Sequence, residues 1–109
     1  MSVRVVVLRG AEADLRELRR YVHQRFGAKA WMKTLGTLRA AVARIAAHPD
    51  AGAVPDELAP LGLGQFRQAM AGANRVLYEC RGDMAYVHLV CDARRDLKAV
   101  LLRRLMEAP

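Results

Sequence analysis

Arg75, Arg94 and Arg95 are the residues of this chain best suited to chemistry. Guanidinium groups clamp phosphates through paired hydrogen bonds and can stabilise charge developing in phosphoryl transfer without a metal. Arginine does not titrate near neutrality, so a reaction would also need a separate proton acceptor. His88 or Tyr86 could substitute in that role, and Tyr86 could also stack on a nucleobase. Other chemistries find little support. The one serine, Ser2, stands at the chain's start without a positioned base. His23, His48 and His88 fall on different predicted elements, and Cys80 and Cys91 lack a C-x-x-C spacing, so neither metal nor cofactor is expected. Gly62-Leu63-Gly64 has no following Lys-Ser/Thr and does not read as a phosphate-cradling loop.

The surrounding charge fits an anionic partner. The chain has 109 residues, with 18 Lys and Arg against 11 Asp and Glu, for a net charge of +7. The segment 29–48 carries Lys29, Lys33, Arg39 and Arg44 with no acid, whereas 49–62 carries only Asp50, Asp56 and Glu57. Such a surface attracts polyanions or an acidic protein. With 53% hydrophobic residues, the chain is expected to fold as one domain over residues 1–109. No apolar run approaches the roughly 18 residues of a membrane span, and no signal peptide is read. Cys80 and Cys91 fall on the order of 20 Å apart in the predicted hairpin. A disulfide needs Cα atoms within about 7 Å, so free thiols and a reducing, cytoplasmic setting are expected.

The elements that must position these residues follow from periodicity. Val3 and Val5 to Leu8 read as a strand ending at Gly10. Leu15, Leu18, Val22 and Phe26 share one helical face, and Gly27 stops the helix. Trp31, Leu35, Leu38, Val42 and Ile45 alternate spacings of four and three, which predicts a second helix ending at His48-Pro49. Almost no loop separates the two, so they form a helical hairpin. Residues 49–64 are a loop. Strands are predicted over 66–71, 75–81 and 84–91, and a short helix over 96–106.

A three-residue turn at Gly72-Ala73-Asn74 and a two-residue turn at Gly82-Asp83 assign the faces. Phe66, Met70, Val76, Tyr78, Cys80, Val87 and Leu89 then form the core beneath the helical hairpin. Arg67, Arg75, Leu77, Glu79, Tyr86 and His88 share the opposite face. Arg94 and Arg95 arrive near Arg75, so that face is expected to be open and basic, with Arg67 paired to Glu79. Trp31 reads mainly as packing, or else as an anchor for a partner.

The order strand, helical hairpin, three antiparallel strands resembles the RelE/ParE superfamily of bacterial type II toxins. The fragments that carry the likeness are Ala13-Asp14-Leu15, Phe66-Arg67, Asn74 to Glu79, Gly82-Asp83, Ala93-Arg94-Arg95-Asp96 and Arg103-Arg104-Leu105. The resemblance covers essentially the whole chain. It implies an α+β fold, an antiparallel sheet packed on an N-terminal helical hairpin with a short C-terminal helix. It also implies a toxin neutralised by a cognate antitoxin in a hetero-oligomer.

Two activities follow from the resemblance. The RelE branch cleaves mRNA on the ribosome without metal, and the ParE branch binds and poisons DNA gyrase. The nuclease pattern maps onto Arg67, Arg75 and Arg94 or Arg95. Its second basic position is Ala69, and its C-terminal Tyr or His falls among Val100, Leu101 and Leu102. This favours the ParE branch, non-enzymatic, with Arg67, Arg75, Tyr86, Arg94 and Arg95 contacting the target. Trp31, Leu35 and Leu38 are the residues expected to receive the antitoxin. The alternatives are a metal-independent endoribonuclease using Arg67, Arg75, Arg95 and His88, or a basic module that only binds nucleic acid.

Overall fold

The structure, a computed structural model, describes residues 2–107. Its elements are β1 (Arg4–Val7), α1 (Arg9–Phe26), α2 (Ala28–Ala47), a 3-10 turn at Ala59–Leu61, β2 (Phe66–Ala71), β3 (Asn74–Arg81), β4 (Met84–Asp92) and α3 (Leu97–Met106). Gly27 alone joins α1 to α2. It sits at φ 93° and ψ 173°, donates its N–H to His23 and accepts from the Trp31 N–H. A side chain would be strained at that φ, and the tight reversal packs the two helices as a hairpin.

The sheet order is β1-β4-β3-β2. The last three strands are antiparallel neighbours, and β1 joins β4 in parallel, as the long hairpin crossover permits. The hairpin covers one face through Ala11, Leu38, Ala41 and Ile45, which meet Ala71, Val76, Tyr78, Ala85, Val87 and Val90. Alanine at four of these positions lets the helices approach the strands closely. Tyr78 is buried, and its hydroxyl donates to the Pro49 carbonyl at 2.7 Å, so the one polar atom carried into this core is satisfied.

The opposite face is not open. Leu58 from the loop and Leu97 and Leu101 from α3 cover Phe66, Leu77, Leu89 and Cys91, forming a second core. Asp96 caps α3 by accepting the Ala99 N–H. The predicted C-terminal helix therefore exists and has a sheet face to cover, which removes much of the expected basic surface.

Two register differences rearrange the faces. The β2–β3 turn uses two residues, Gly72 and Ala73, and Gly72 takes φ 61°. Met70 therefore pairs with Arg75 and Arg67 with Tyr78, one residue away from the expected Met70–Val76 and Arg67–Glu79 pairs. A one-residue slip exchanges the faces of a strand. Phe66 and Met70 thus leave the hairpin core for the α3 face, where Met70 is 42% exposed. Arg67 moves the opposite way and forms no pair with Glu79. A bulge between Leu77 and Tyr78 leaves His88 unpaired across the ladder, so Tyr78 opposes Val87 while Leu77 opposes Leu89. Leu89 accordingly belongs to the α3 face, and Arg75 opposes Cys91 instead of Val90. Val76, Tyr78, Cys80 and Val87 lie on the hairpin face as expected. Cys80 and Cys91 are both free and pack against different cores.

Candidate functional site

Arg67 and Arg75 do not share a face. Arg67 donates to the carbonyls of Asp50 and Gly52 at 3.1 and 2.8 Å, pinning the loop after α2. Arg75 lies on the α3 face and is held by the Glu57 carboxylate at 3.1 Å, the Gln68 side chain at 3.3 Å and the Ala93 carbonyl at 3.4 Å. Its side chain is only 17% exposed. Hydrogen bonding to Arg75 holds the Glu57 carboxyl below its ordinary range. Both arginines therefore act as staples for the loop between α2 and β2.

His88 and Tyr86 stand apart from Arg75. His88 Nε2 lies 3.0 Å from Glu79 Oε1, its ring meets Phe66 edge-on, and Arg81 approaches the same carboxylate oxygen at 3.3 Å. Tyr86 pairs with Glu79 across the β3–β4 ladder and is half-buried. Glu79 is four residues along β3 from Arg75, a separation of roughly 13 Å. Ala69 packs against the hairpin core, Leu101 is wholly buried, Val100 packs beside it, and Leu102 is exposed. No ionisable side chain therefore occupies the second basic position or the C-terminal Tyr/His position of the nuclease pattern.

Arg94 and Arg95 occupy the turn after β4, adjoining the Ala93 carbonyl that Arg75 grips. Asp92 accepts from the Arg94 backbone and, through both oxygens, from its guanidinium at 3.0 and 3.1 Å. These bonds draw the Asp92 carboxyl down to about 2. The Arg95 side chain is exposed and has no carboxylate partner among the described residues. Burial pushes the Cys91 thiol up, while Arg75 and Arg95 oppose that rise.

These residues border a groove of about 710 Å3 between α1 and α3. Leu18 and Tyr21 form one wall, Val100 and Arg103 the other, with Cys91 among the floor residues and Arg94 and Arg95 among the lining. Its walls are held together by Arg104, whose NH2 and NH1 donate to the two Asp14 oxygens at 2.8 and 3.1 Å. Asp14 also accepts the Val90 N–H at 3.0 Å, and Arg104 donates to the His88 carbonyl at 2.8 Å. This cluster closes the edge of β4 where β1 has turned away into α1. Asp14 and Arg104 are 90 positions apart, and nothing local in the sequence pairs them.

A model of the ParE toxin of type II toxin-antitoxin systems matches residues 5–99. The chain belongs to the ParE toxin family. It is thus a member of the RelE/ParE superfamily, as its motifs imply. Among solved structures, the fold resembles one described as the chromosomal ParDE TA system from P. aeruginosa. The match has a TM-score of 0.67 at 14% identity and covers 84% of this chain and 96% of that one. No curated protein matches.

In this ParE-family chain, one expected antitoxin contact is a core residue. Leu38 is 5% exposed, whereas Trp31 is half-buried and packs against the margin of the same cluster. Leu35 is half-buried. The large apolar side chains that the hairpin does expose are Tyr21, Phe26 and Met32; Phe26, expected on one face with Leu15, Leu18 and Val22, is the last residue of α1 and is 64% exposed instead. No helix of the described residues is long and apolar enough to cross a membrane.

Proposed function

We propose that this ParE-family chain is the toxin of a type II pair, that it poisons DNA gyrase by binding it in the cytoplasm, and that a cognate antitoxin silences it. The observation that carries this reading is the dispersal of the nuclease constellation. Arg67 and Arg75 lie on opposite faces, each engaged by a different part of the loop between α2 and β2, and Glu57, the one carboxylate bonded to Arg75, is a weakened base. Without a poised proton acceptor beside a phosphate clamp, in-line attack by a ribose hydroxyl has no catalyst.

Target contact then moves to the rim of the α1–α3 groove, where Arg95 and Arg103 stand exposed and Arg94 projects beside them. Arg67 and Arg75 serve the fold, and Tyr86 lies away from that rim. A supercoiling assay with purified gyrase tests the proposal. The wild-type chain should inhibit, and joint Arg94→Ala and Arg95→Ala replacement should abolish inhibition while circular dichroism is unchanged. New mRNA ends within codons after expression in cells, without gyrase inhibition, would instead assign the nuclease activity and send attention to Glu79 and His88.

A further inference from the structure

The charge of the chain lies on its helical hairpin. Residues 9–47 hold nine Arg and Lys against three acids, so +6 of the net +7 sits on α1 and α2. The rest of the chain is nearly neutral, and Arg75, Arg81, Arg94 and Arg104 there each hold a carboxylate. On the hairpin the position is reversed. All nine cations are exposed, and only Arg20 is ion-paired, with Glu17. Asp14 is engaged by Arg104, which leaves Glu12 as the one unpaired carboxylate of the two helices among the described residues.

The cations are also aligned. Arg9, Arg16 and Arg20 follow one side of α1 at steps of seven and four residues, with Arg19 beside them. Arg39 stands twelve residues after Gly27 and Arg16 eleven before it, so the antiparallel hairpin brings both to one level. The exposed side of α2 continues through Gly36, Ala40 and Ala43, which raise no steric ridge between the charges. Tyr21, Phe26 and Met32, the large apolar side chains exposed here, all lie within six residues of Gly27, at the turn end.

We infer that the outer face of the hairpin binds the sugar-phosphate backbone of duplex DNA through Arg9, Arg16, Arg19 and Arg39. The 18 residues of α1 extend about 27 Å, and B-DNA presents a phosphate charge every ~1.7 Å of its axis, so the two are matched in extent. A protein partner would need apolar anchors at the centre of the contact, and this face has them only at one end. Contacts to nucleic acid are instead polar and cationic. Arginines that meet phosphates carry no sequence information, so the binding is indifferent to sequence. None of the four lines the α1–α3 groove, and both surfaces can therefore be occupied together by an enzyme and the DNA it holds.

The inference goes beyond the gyrase reading, and the experiment separates their failures. A fluorescent duplex of about 20 base pairs and arbitrary sequence is titrated with the full chain, and anisotropy is followed as salt is raised. Neutralising four phosphates should make affinity fall about a hundredfold between ~50 and ~200 mM salt. Arg16→Gln with Arg19→Gln should weaken binding and reduce that fall to about tenfold, with circular dichroism unchanged. Arg39→Gln, on the other helix, is the second variant and should lower the slope of log affinity against log salt by about 1.

A wild-type chain that fails to bind the duplex, or binding that neither variant alters, overturns the inference and leaves the gyrase reading to the supercoiling assay. Duplex binding with the expected salt slope but no gyrase inhibition supports the hairpin face and overturns the gyrase reading. Displacement of the duplex by polyglutamate of equal charge at equal concentration would give the face to an acidic protein and overturn the choice of DNA.

Discussion

The two faces of the sheet are held by different forces. On the hairpin face, small and branched apolar side chains interlock, and one tyrosine hydroxyl is the sole polar group to reach a distant backbone from within that cluster. On the α3 face, a smaller apolar cluster is supplemented at its margins by Arg104–Asp14, Arg75–Glu57 and Glu79–His88. Apolar packing does not respond to protonation or to the screening of charge, whereas paired charges respond to both. The hairpin face is therefore the rigid platform, and the α3 face, which borders the proposed target groove, is the adjustable one.

The largest expected effect lies on the platform. Ile45 is 1% exposed, and Ile45→Ala should cost about 2–5 kcal/mol through lost transfer energy and a residual cavity. Denaturant unfolding should show one cooperative transition at a lower midpoint. A variant that loosened only α2 would break the contrast, because it would show that the hairpin face also opens locally.

Arg104→Ala comes next, at about 3 kcal/mol, since it leaves the Asp14 carboxylate and the His88 carbonyl short of a part-buried partner. Here the loss should be local. Amide exchange should accelerate across Leu97–Met106 and at Val90 while α2 remains protected. Uniform acceleration would show that the two faces unfold together. Asp96→Ala, removing the α3 cap, should act in the same direction at about 1 kcal/mol.

The contrast was only partly legible in the sequence. Heptad-like spacing gave both long helices, and the residues beneath them on β3 were readable because Val76, Tyr78 and Cys80 alternate cleanly. β2 was ambiguous: Phe66, Arg67, Gln68, Ala69, Met70 and Ala71 carry apolar residues on both faces, so turn length alone decided the register. Gly72-Ala73-Asn74 accommodates two- and three-residue turns. Leu97 and Leu101 did carry a usable signal, because an amphipathic helix needs a surface to cover, and only the second face of the sheet was free. Arg104 and Asp14 gave no such signal. Their pairing depends on α1 and α3 meeting at a strand edge, a tertiary event with no sequence period.

The smallest expected effect sharpens the comparison through pH. Glu57 is bonded to Arg75, and its folded pKa lies below the ordinary value of 4.5. A carboxylate depressed by folding contributes stability above its unfolded pKa, and that contribution is lost as pH falls through the folded value. Glu57 is 39% exposed, so the pair is screened and worth less than about 1 kcal/mol. The wild-type chain should therefore melt slightly higher than Glu57→Gln near neutrality, with the gap closing from about pH 5 downward as the carboxylate is protonated. The same comparison on the platform, Ile45→Ala against wild type, should give a gap independent of pH from acid to neutrality, because the titratable groups of that cluster, Tyr78 and Cys80, are pushed by burial above their already alkaline ordinary values. A pH-independent gap for Glu57→Gln would mean that Arg75 is held by Gln68 and the Ala93 carbonyl alone, and that the loop over the second face is fixed without its charge.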